Sequence, residues 1–427
     1  MMPSAFLLMG LLIILLLIRV PIALAMTLAC VVFLLLMAKI PLIIVPQRLW
    51  GGLESFPLLA IPFFVLAGIL MNKSGCAERI FNFCLSILGH VRGGLGHVNI
   101  LASMIFAGMS GAATADAAGL GAIEIEAMRR DGYKLDFSAA VTAASSTIGP
   151  IIPPSVPLVV YGVMAQVSVG QLFIGGFLPG ILLGITIMGV VAIVARKENY
   201  PTHPRASFQT VRKEFISSSL SLLAPIIILG GIFTGAFTPT EAGVVASVYG
   251  LLLGFVYRTI KLKELPDILE EAMLMTAQIT FIVGAAGLFG WIITHAQIPT
   301  LVTSFLTALT DNQYIVLILI NLVMIFMGCF IDALALLIMM TPVMVPLGMS
   351  FNVDPIQLGL ILVLNCMIGL ITPPVGLCLY IVSNIAKIPI VQVARALVPF
   401  YVALTICLVL IIFFPQIVTF LPSLIKF

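Results

Sequence analysis

Apolar runs of about 15–20 residues, separated by short polar junctions, recur along the whole chain. None alternates apolar with polar positions as a half-buried strand does. Each approaches the roughly 20 residues with which a helix crosses a ~30 Å hydrocarbon layer. The pattern predicts an all-α polytopic membrane protein. Helices are expected at 4–18, 21–38, 55–72, 173–195, 217–236 and 241–257. The first run has no small-residue cleavage site and reads as a retained helix. Residues 77–90 are too short to span and read as an arm lying along the membrane face. Residues 97–128 read as a hairpin that enters and returns.

Two apolar segments are interrupted. S-S-T-I-G-P-I-I-P-P-S-V-P lies at 145–157 and I-G-L-I-T-P-P-V-G at 368–376. Each proline removes a backbone donor and crowds the preceding turn, so neither segment continues as one helix. Broken backbone at membrane depth is tolerated only inside protein or along a polar cavity. The two breaks are also related. Ile148 and Ile368, Pro153 and Pro373, and Pro179 and Pro399 are each 220 residues apart, and no gap is needed between them. Phe106 and Gly108 pair with Phe326 and Gly328 at the same offset. The chain therefore divides into two related halves, 1–195 and 215–427, joined by a linker at 196–214. The first holds scaffold helices (1–72), an arm (77–90), a hairpin (97–128) and a broken helix (136–166). The second repeats the order: scaffold 217–292, arm 298–309, hairpin 314–345 and broken helix 356–386.

Charge placement orients the halves. Only 9% of the chain is charged, against 61% hydrophobic, and the mean hydropathy is +1.24. Arg92, Arg129, Arg130 and Lys134 in the first half face Asp311 and Asp354 in the second. Cytoplasmic loops collect Lys and Arg, so corresponding loops should lie on opposite sides, which makes the duplication an inverted repeat. With the N-terminus periplasmic, one assignment places Arg19, Lys73, Arg79, the linker bases, Arg258, Lys261 and Lys263 all inside. The seven cysteines form no C-x-x-C pair and read as small apolar residues.

Candidate chemistry gathers at the breaks. F-A-G-M-S-G-A-A-T-A-D-A-A-G (106–119), carrying Asp116, precedes the first, and F-M-G-C-F-I-D-A-L-A (326–335), carrying Asp332, precedes the second. These small-residue stretches are expected at the hairpin tips, close to the unwound chain. Opposed helix ends there would aim carbonyls and hydroxyls at one point, which suits Na⁺ or another hard cation. The half-helix N-termini would favour an anionic group on the substrate. Asp332 is the stronger site candidate, whereas Asp116 reads equally as a site residue or as a cap of the returning arm. Glu124 and Glu126 read as a surface pair with Arg129 and Arg130, and Glu241 in T-P-T-E-A as part of a helix cap. No phosphate-cradling P-loop is present, so ATP does not drive this chain directly, and nothing points to nucleic acid. No H-E-x-x-H or G-x-S-x-G motif suggests an enzyme. A channel fits two symmetric discontinuities less well than alternating access does.

The F-T-P-T-E-A-G block (237–243), the tip S-G-A-A-T-A-D (110–116) and the paired proline segments together resemble the large membrane subunit of tripartite ATP-independent periplasmic (TRAP) transporters. The resemblance covers essentially the whole chain. It implies a multi-pass protein of the bacterial inner membrane that imports an organic acid, such as a dicarboxylate or sialic acid, driven by Na⁺. The implied mechanism is of the elevator type. The implied partners are a periplasmic substrate-binding protein and a small membrane subunit, expected as a separate chain. Carried over, one Na⁺ site would use Ser110, Gly111, Gly149, Ile152 and Pro154. A second would use Gly328, Asp332, Thr372 and Pro373, with Ser155, Asp332 and Thr372 near the substrate. The alternative is a stand-alone Na⁺/carboxylate symporter that needs no binding protein.

Overall fold

The computed structural model describes residues 2–37 and 40–424, all helical or irregular, with no strand among them. The expected end of the second helix at 38 falls outside the described residues. Helices α1 (Met2–Leu17) and α2 (Ile22–Met37) are followed by a short helix α3 (Ile44–Gly51), then by α4 (Ala60–Lys73), led by a 3₁₀ turn at Phe56–Leu59. The arm is α5 (Cys76–Leu88). The first hairpin is α6 (Gly94–Ser110), α7 (Ala113–Ala118) and α8 (Leu120–Arg130). The first broken helix is α9 (Leu135–Ser146) and α10 (Val156–Ala165), and α11 (Val169–Lys197) closes the half.

The second half runs α12 (Phe208–Phe233), α13 (Pro239–Val256), α14 (Leu265–His295) and arm α15 (Ile298–Leu309). Its hairpin is α16 (Gln313–Gly328) with α17 (Ala333–Ser350), and its broken helix is α18 (Pro355–Leu370) with α19 (Leu377–Ala386). Helices α20 (Ile390–Ala396), α21 (Val398–Phe413) and α22 (Gln416–Leu424) complete it. Seven helical segments among the described residues are long and apolar enough to cross a membrane. The half-helices α9 and α10, at 12 and 10 residues, rise only about 15–18 Å each. Neither is long enough to cross alone.

Backbone geometry repeats with the sequence. The Pro153–Pro154 and Pro373–Pro374 bonds are both cis, and left-handed residues recur in pairs at Gly75 and Gln297, Gly132 and Asn352, and Gln166 and Lys387. The arms α5 and α15 each start from such a residue. Arm α5 buries Cys76, Ile80 and Cys84 on one stripe, against α6 and α12. That one-sided burial suits a helix lying along the membrane face.

Several boundaries shift by a few residues from the sequence reading, the start of α12 most, and α17 runs to Ser350 rather than 345. The linker is shorter than 196–214, because α11 continues to Lys197 and α12 begins at Phe208. Ser207 explains the early start: its hydroxyl accepts the Thr210 amide at 3.1 Å, capping a polar first turn that hydropathy alone does not register. Helix α14 likewise extends three residues past 292, to His295. The short α3 had no counterpart in the apolar pattern.

Ion pairs draw the basic junctions together at one end. Lys73 bonds Glu271 at 3.0 Å, Lys134 bonds Glu198 at 2.5 Å, and His203 meets Asp131 at 2.9 Å. The Arg79 guanidinium donates to Ser217 at 2.9 Å and lies 3.9 Å over the Tyr257 ring. Glu126 takes both Arg129 and Arg130 at 2.8 Å, and those bonds pull its carboxyl down to about 2. Exposed pairs of this kind add little stability; their use here is to mark one face. Cysteines placed at Lys134 and Asp354 are therefore expected to react with impermeant maleimide from opposite sides of the membrane. Labelling from the same side would remove the inverted arrangement.

Candidate functional site

The first hairpin does not turn through a loop. Its entering helix α6 stops at Gly111, whose φ of 63° puts it in the left-handed region, and α7 resumes two residues later. The position also requires glycine for space, since a Cβ there would stand 2.5 Å from the Pro154 carbonyl oxygen. The Val156 amide donates to the Gly111 carbonyl at 3.4 Å, tying the tip to the break. Residues 137–155, which cover all but the first two residues of α9 and the whole break, are buried.

Inside this contact, the Ser110 hydroxyl donates to Oδ1 of Asp116. Asp116 is 2% exposed, and its Oδ2 has no hydrogen-bond partner among the described residues. That oxygen faces Gly149: a methyl group at Gly149 would lie 2.3 Å from it. Ser110 and Gly149 thus meet one buried carboxylate, and Gly111 with Pro154 ties the tip to the break beside it. Buried polar groups are ordinarily bonded, and a partnerless carboxylate oxygen beside bare backbone is a ready ligand for a hard cation. Ile152 joins the group only through its backbone position, because its side chain packs on Gly180 of α11. Ser155 serves as the N-cap of α10: its hydroxyl donates to the Pro150 carbonyl at 2.5 Å and accepts the Leu158 amide at 3.2 Å.

The second tip has the same plan with different chemistry. Gly328 meets Gly369 backbone to backbone; a Cβ on Gly369 would lie 2.8 Å from the Gly328 carbonyl oxygen. The Val375 amide donates to the Cys329 carbonyl at 3.0 Å, matching the tie at the first tip. Thr372 donates its hydroxyl to Ile368 at 2.7 Å, and the Tyr401 hydroxyl holds the Ile371 carbonyl at 2.6 Å. Unlike the first break, Pro373 and Pro374 are exposed, and Phe330 at the tip is 56% exposed.

The structure adds a cap role to Asp332 and decides between the two readings of Asp116. Asp332 is the cap, accepting the Leu334 and Ala335 amides at 3.1 and 3.4 Å as N-cap of α17. Asp116 lies within α7 and caps nothing. Asp332→Asn keeps a competent cap, so it isolates the charge. It is expected to cut uptake about tenfold, the size of one lost charge-assisted contact, without unfolding the protein. Uptake at the level of the unmodified protein would leave Asp332 a cap alone. Glu241 behaves as anticipated: it completes a capping box with Thr238, accepting that amide at 2.8 Å. Glu124 does not pair at the surface with Arg129 and Arg130. It is 1% exposed, and its Oε1 has no partner among the described residues, because α8 turns that face inward while Glu126 points out.

Two buried amide clamps escaped the sequence reading. Asn99 on α6 donates to Thr142 at 2.8 Å and accepts the Ser145 hydroxyl at 2.6 Å, fixing the hairpin on α9. Asn321 on α16 bonds Asn365 on α18 in the second half. Ser145 and Asn365 are again 220 residues apart, which was the available signal.

The two tips belong to one body. Helix α19 packs on α7 and α9, and α10 packs on α17 and α18, so each half braces the other's break. A cavity of about 360 Å³ reaches the first tip at Ser110, Ala112 and Val156 and extends past Asn72 to Lys73 and Glu271. It runs from the first tip to the Lys73–Glu271 pair.

Comparison with known proteins places this architecture. The sialic acid TRAP transporter large permease protein SiaM of Vibrio cholerae is 45% identical over 405 residues, 95% of each chain. The C4-dicarboxylate TRAP transporter large permease protein DctM of Pseudomonas aeruginosa is 40% identical over 88% of each. The YdaH transporter of Alcanivorax borkumensis shares the fold alone, with a TM-score of 0.63 at 16% identity over 88% of each chain. Residues 9–417 match the family described as the DctM component of the tripartite ATP-independent periplasmic transporter. The chain belongs to that family, and is a multi-pass transporter subunit of the bacterial inner membrane.

Proposed function

We propose that this chain imports an organic acid by coupling its entry to Na⁺. The observation that carries the reading is the buried Asp116 carboxylate, held by Ser110 through one oxygen and presenting the other, unpartnered, to Gly149. Na⁺ entering there would be coordinated by that oxygen together with carbonyls freed by the break at Gly149, Ile152 and Pro154. The second tip would hold a further Na⁺ through carbonyls around Gly328, Thr372 and Pro373. The acid would sit between the tips, near Ser155, Asp332 and Thr372. A monosaccharide acid or a four-carbon diacid is favoured, because SiaM is named for sialic acid and the Pseudomonas DctM for C4-dicarboxylates.

Two hairpins and two breaks that pack on one another as a unit suit an elevator, in which that unit slides against α1, α2, α4 and α12–α14. The energetics favour more than one Na⁺ per acid. Each net positive charge moving inward gains about 2.3 kcal/mol per 100 mV of membrane potential, which offsets the unfavourable inward movement of a carboxylate. As part of a tripartite system, the chain would work with a small membrane subunit and receive its acid from a periplasmic binding protein.

The test is uptake of radiolabelled N-acetylneuraminate and succinate into proteoliposomes, with and without an inward Na⁺ gradient and the binding protein. Uptake requiring both is the expected result. Uptake with Na⁺ alone would make the chain a stand-alone symporter, and uptake indifferent to Na⁺ would remove the coupling.

A further inference from the structure

A second, larger cavity lies at the end opposite the basic junctions. It is a crevice of about 1230 Å³ between the scaffold (α3, α13 and α14) and the outer ends of α10, α11 and α17. The residues that line it include several hydroxyls, Ser168, Thr240 and Thr294 among them, and the amide of Gln166, but no carboxylate. Among the described residues on its wall, Arg48 alone carries a formal charge.

Arg48 is placed there by construction. Helix α3 lies directly on the backbone of α14: a Cβ on Gly287 would stand 2.9 Å from the Gly52 Cα and 3.0 Å from the Arg48 carbonyl oxygen. Its guanidinium carbon sits 5.1 Å over the Trp291 ring, and that ring stacks on His295 at 5.3 Å with the planes 6° apart. A guanidinium over an indole face is oriented by the cation–π attraction while its donors stay available. Among the described residues, no ion pair engages Arg48. Planar donors of this type match a carboxylate in a bidentate fashion. A crevice rich in hydroxyls, free of acids and supplied with one preoriented cation selects small polar anions, and it exceeds the 300–1,000 Å³ typical of small-molecule sites.

We infer that Arg48, with Trp291 beneath it, is an entry subsite that receives the carboxylate of the incoming organic acid before the acid reaches the tips. This rests on the transport reading above and adds to it a binding site whose wall includes no residue of either proline break.

Trp50 and Trp291 are the two tryptophans of the chain, and Trp50 is 68% exposed. In a Trp50→Phe background, emission therefore reports Trp291 alone. Titrating the purified protein in phosphatidylcholine nanodiscs with succinate or N-acetylneuraminate, without Na⁺, is expected to change that emission saturably. Chloride at equal ionic strength should not. Arg48→Gln should raise the half-saturating acid concentration by about tenfold or more, as loss of a charged hydrogen bond does, and Arg48→Lys less. In proteoliposomes, Arg48→Gln should raise the KM for acid with the maximal rate retained.

A response that chloride reproduces, or that survives Arg48→Gln unchanged, overturns the subsite. So does the absence of any response in a protein that still takes up acid, and the transport reading then stands. Failure of uptake under every Na⁺ gradient overturns the transport reading and this inference with it.

Discussion

Asp116→Asn is expected to shift the Na⁺ activation of uptake to much higher Na⁺ while leaving a folded protein. The substitution keeps the size of the side chain and an acceptor for the Ser110 hydroxyl, which now donates to Oδ1. What it removes is the charge on a carboxylate that is 2% exposed and has one oxygen without a partner. A cation at that position would lose its only formally charged ligand, and an amide replaces it poorly in a site shielded from water. Loss of more than tenfold in Na⁺ affinity, about 1.4 kcal/mol or more, should appear as a rightward shift of the Na⁺ activation curve. Initial rates of acid uptake against external Na⁺ measure it. An activation curve coincident with that of the unmodified protein would take Asp116 out of the coupling site.

Gly149→Ala should be as damaging by a different route. The added methyl would lie 2.3 Å from the Asp116 Oδ2, closer than atoms can approach. The break is buried on all sides and cannot yield cheaply. The methyl would occupy the space a cation needs, so uptake should fall by at least about tenfold while expression persists. Gly189→Ala is the matched control, because nothing lies within 4 Å of a Cβ there. In a helix interior that exchange is neutral or stabilising by up to about 1 kcal/mol. Equal uptake rates for the two variants would mean that the Gly149 contact is not part of transport.

Much of this architecture is legible in the sequence, for a physical reason. Spanning helices announce themselves by length and hydropathy, and paired prolines cannot be absorbed into a helix, so both breaks and their 220-residue relation are visible without coordinates. The hairpin tips were located by their small residues. What the sequence hid was direction. Asp116 and Asp332 occupy similar tips, yet one is presented to a bare glycine and the other to two free amides, a difference set by where each helix restarts. Glu124 and Glu126 look alike two residues apart, but α8 buries the first and exposes the second. The clamps of Asn99 on Ser145 and Asn321 on Asn365 join residues more than 40 positions apart, which no local pattern encodes. Ser207 shows the same limit on a smaller scale, since one hydroxyl moves a helix start back by nine residues from 217.

The most direct test of the central claim is equilibrium binding of radioactive Na⁺ to the purified chain with no partner and no acid present. Saturable binding that is competed by unlabelled Na⁺, with the component held at the first tip missing in both Asp116→Asn and Gly149→Ala, is the predicted result. Na⁺ binding of equal affinity in all three proteins would contradict it.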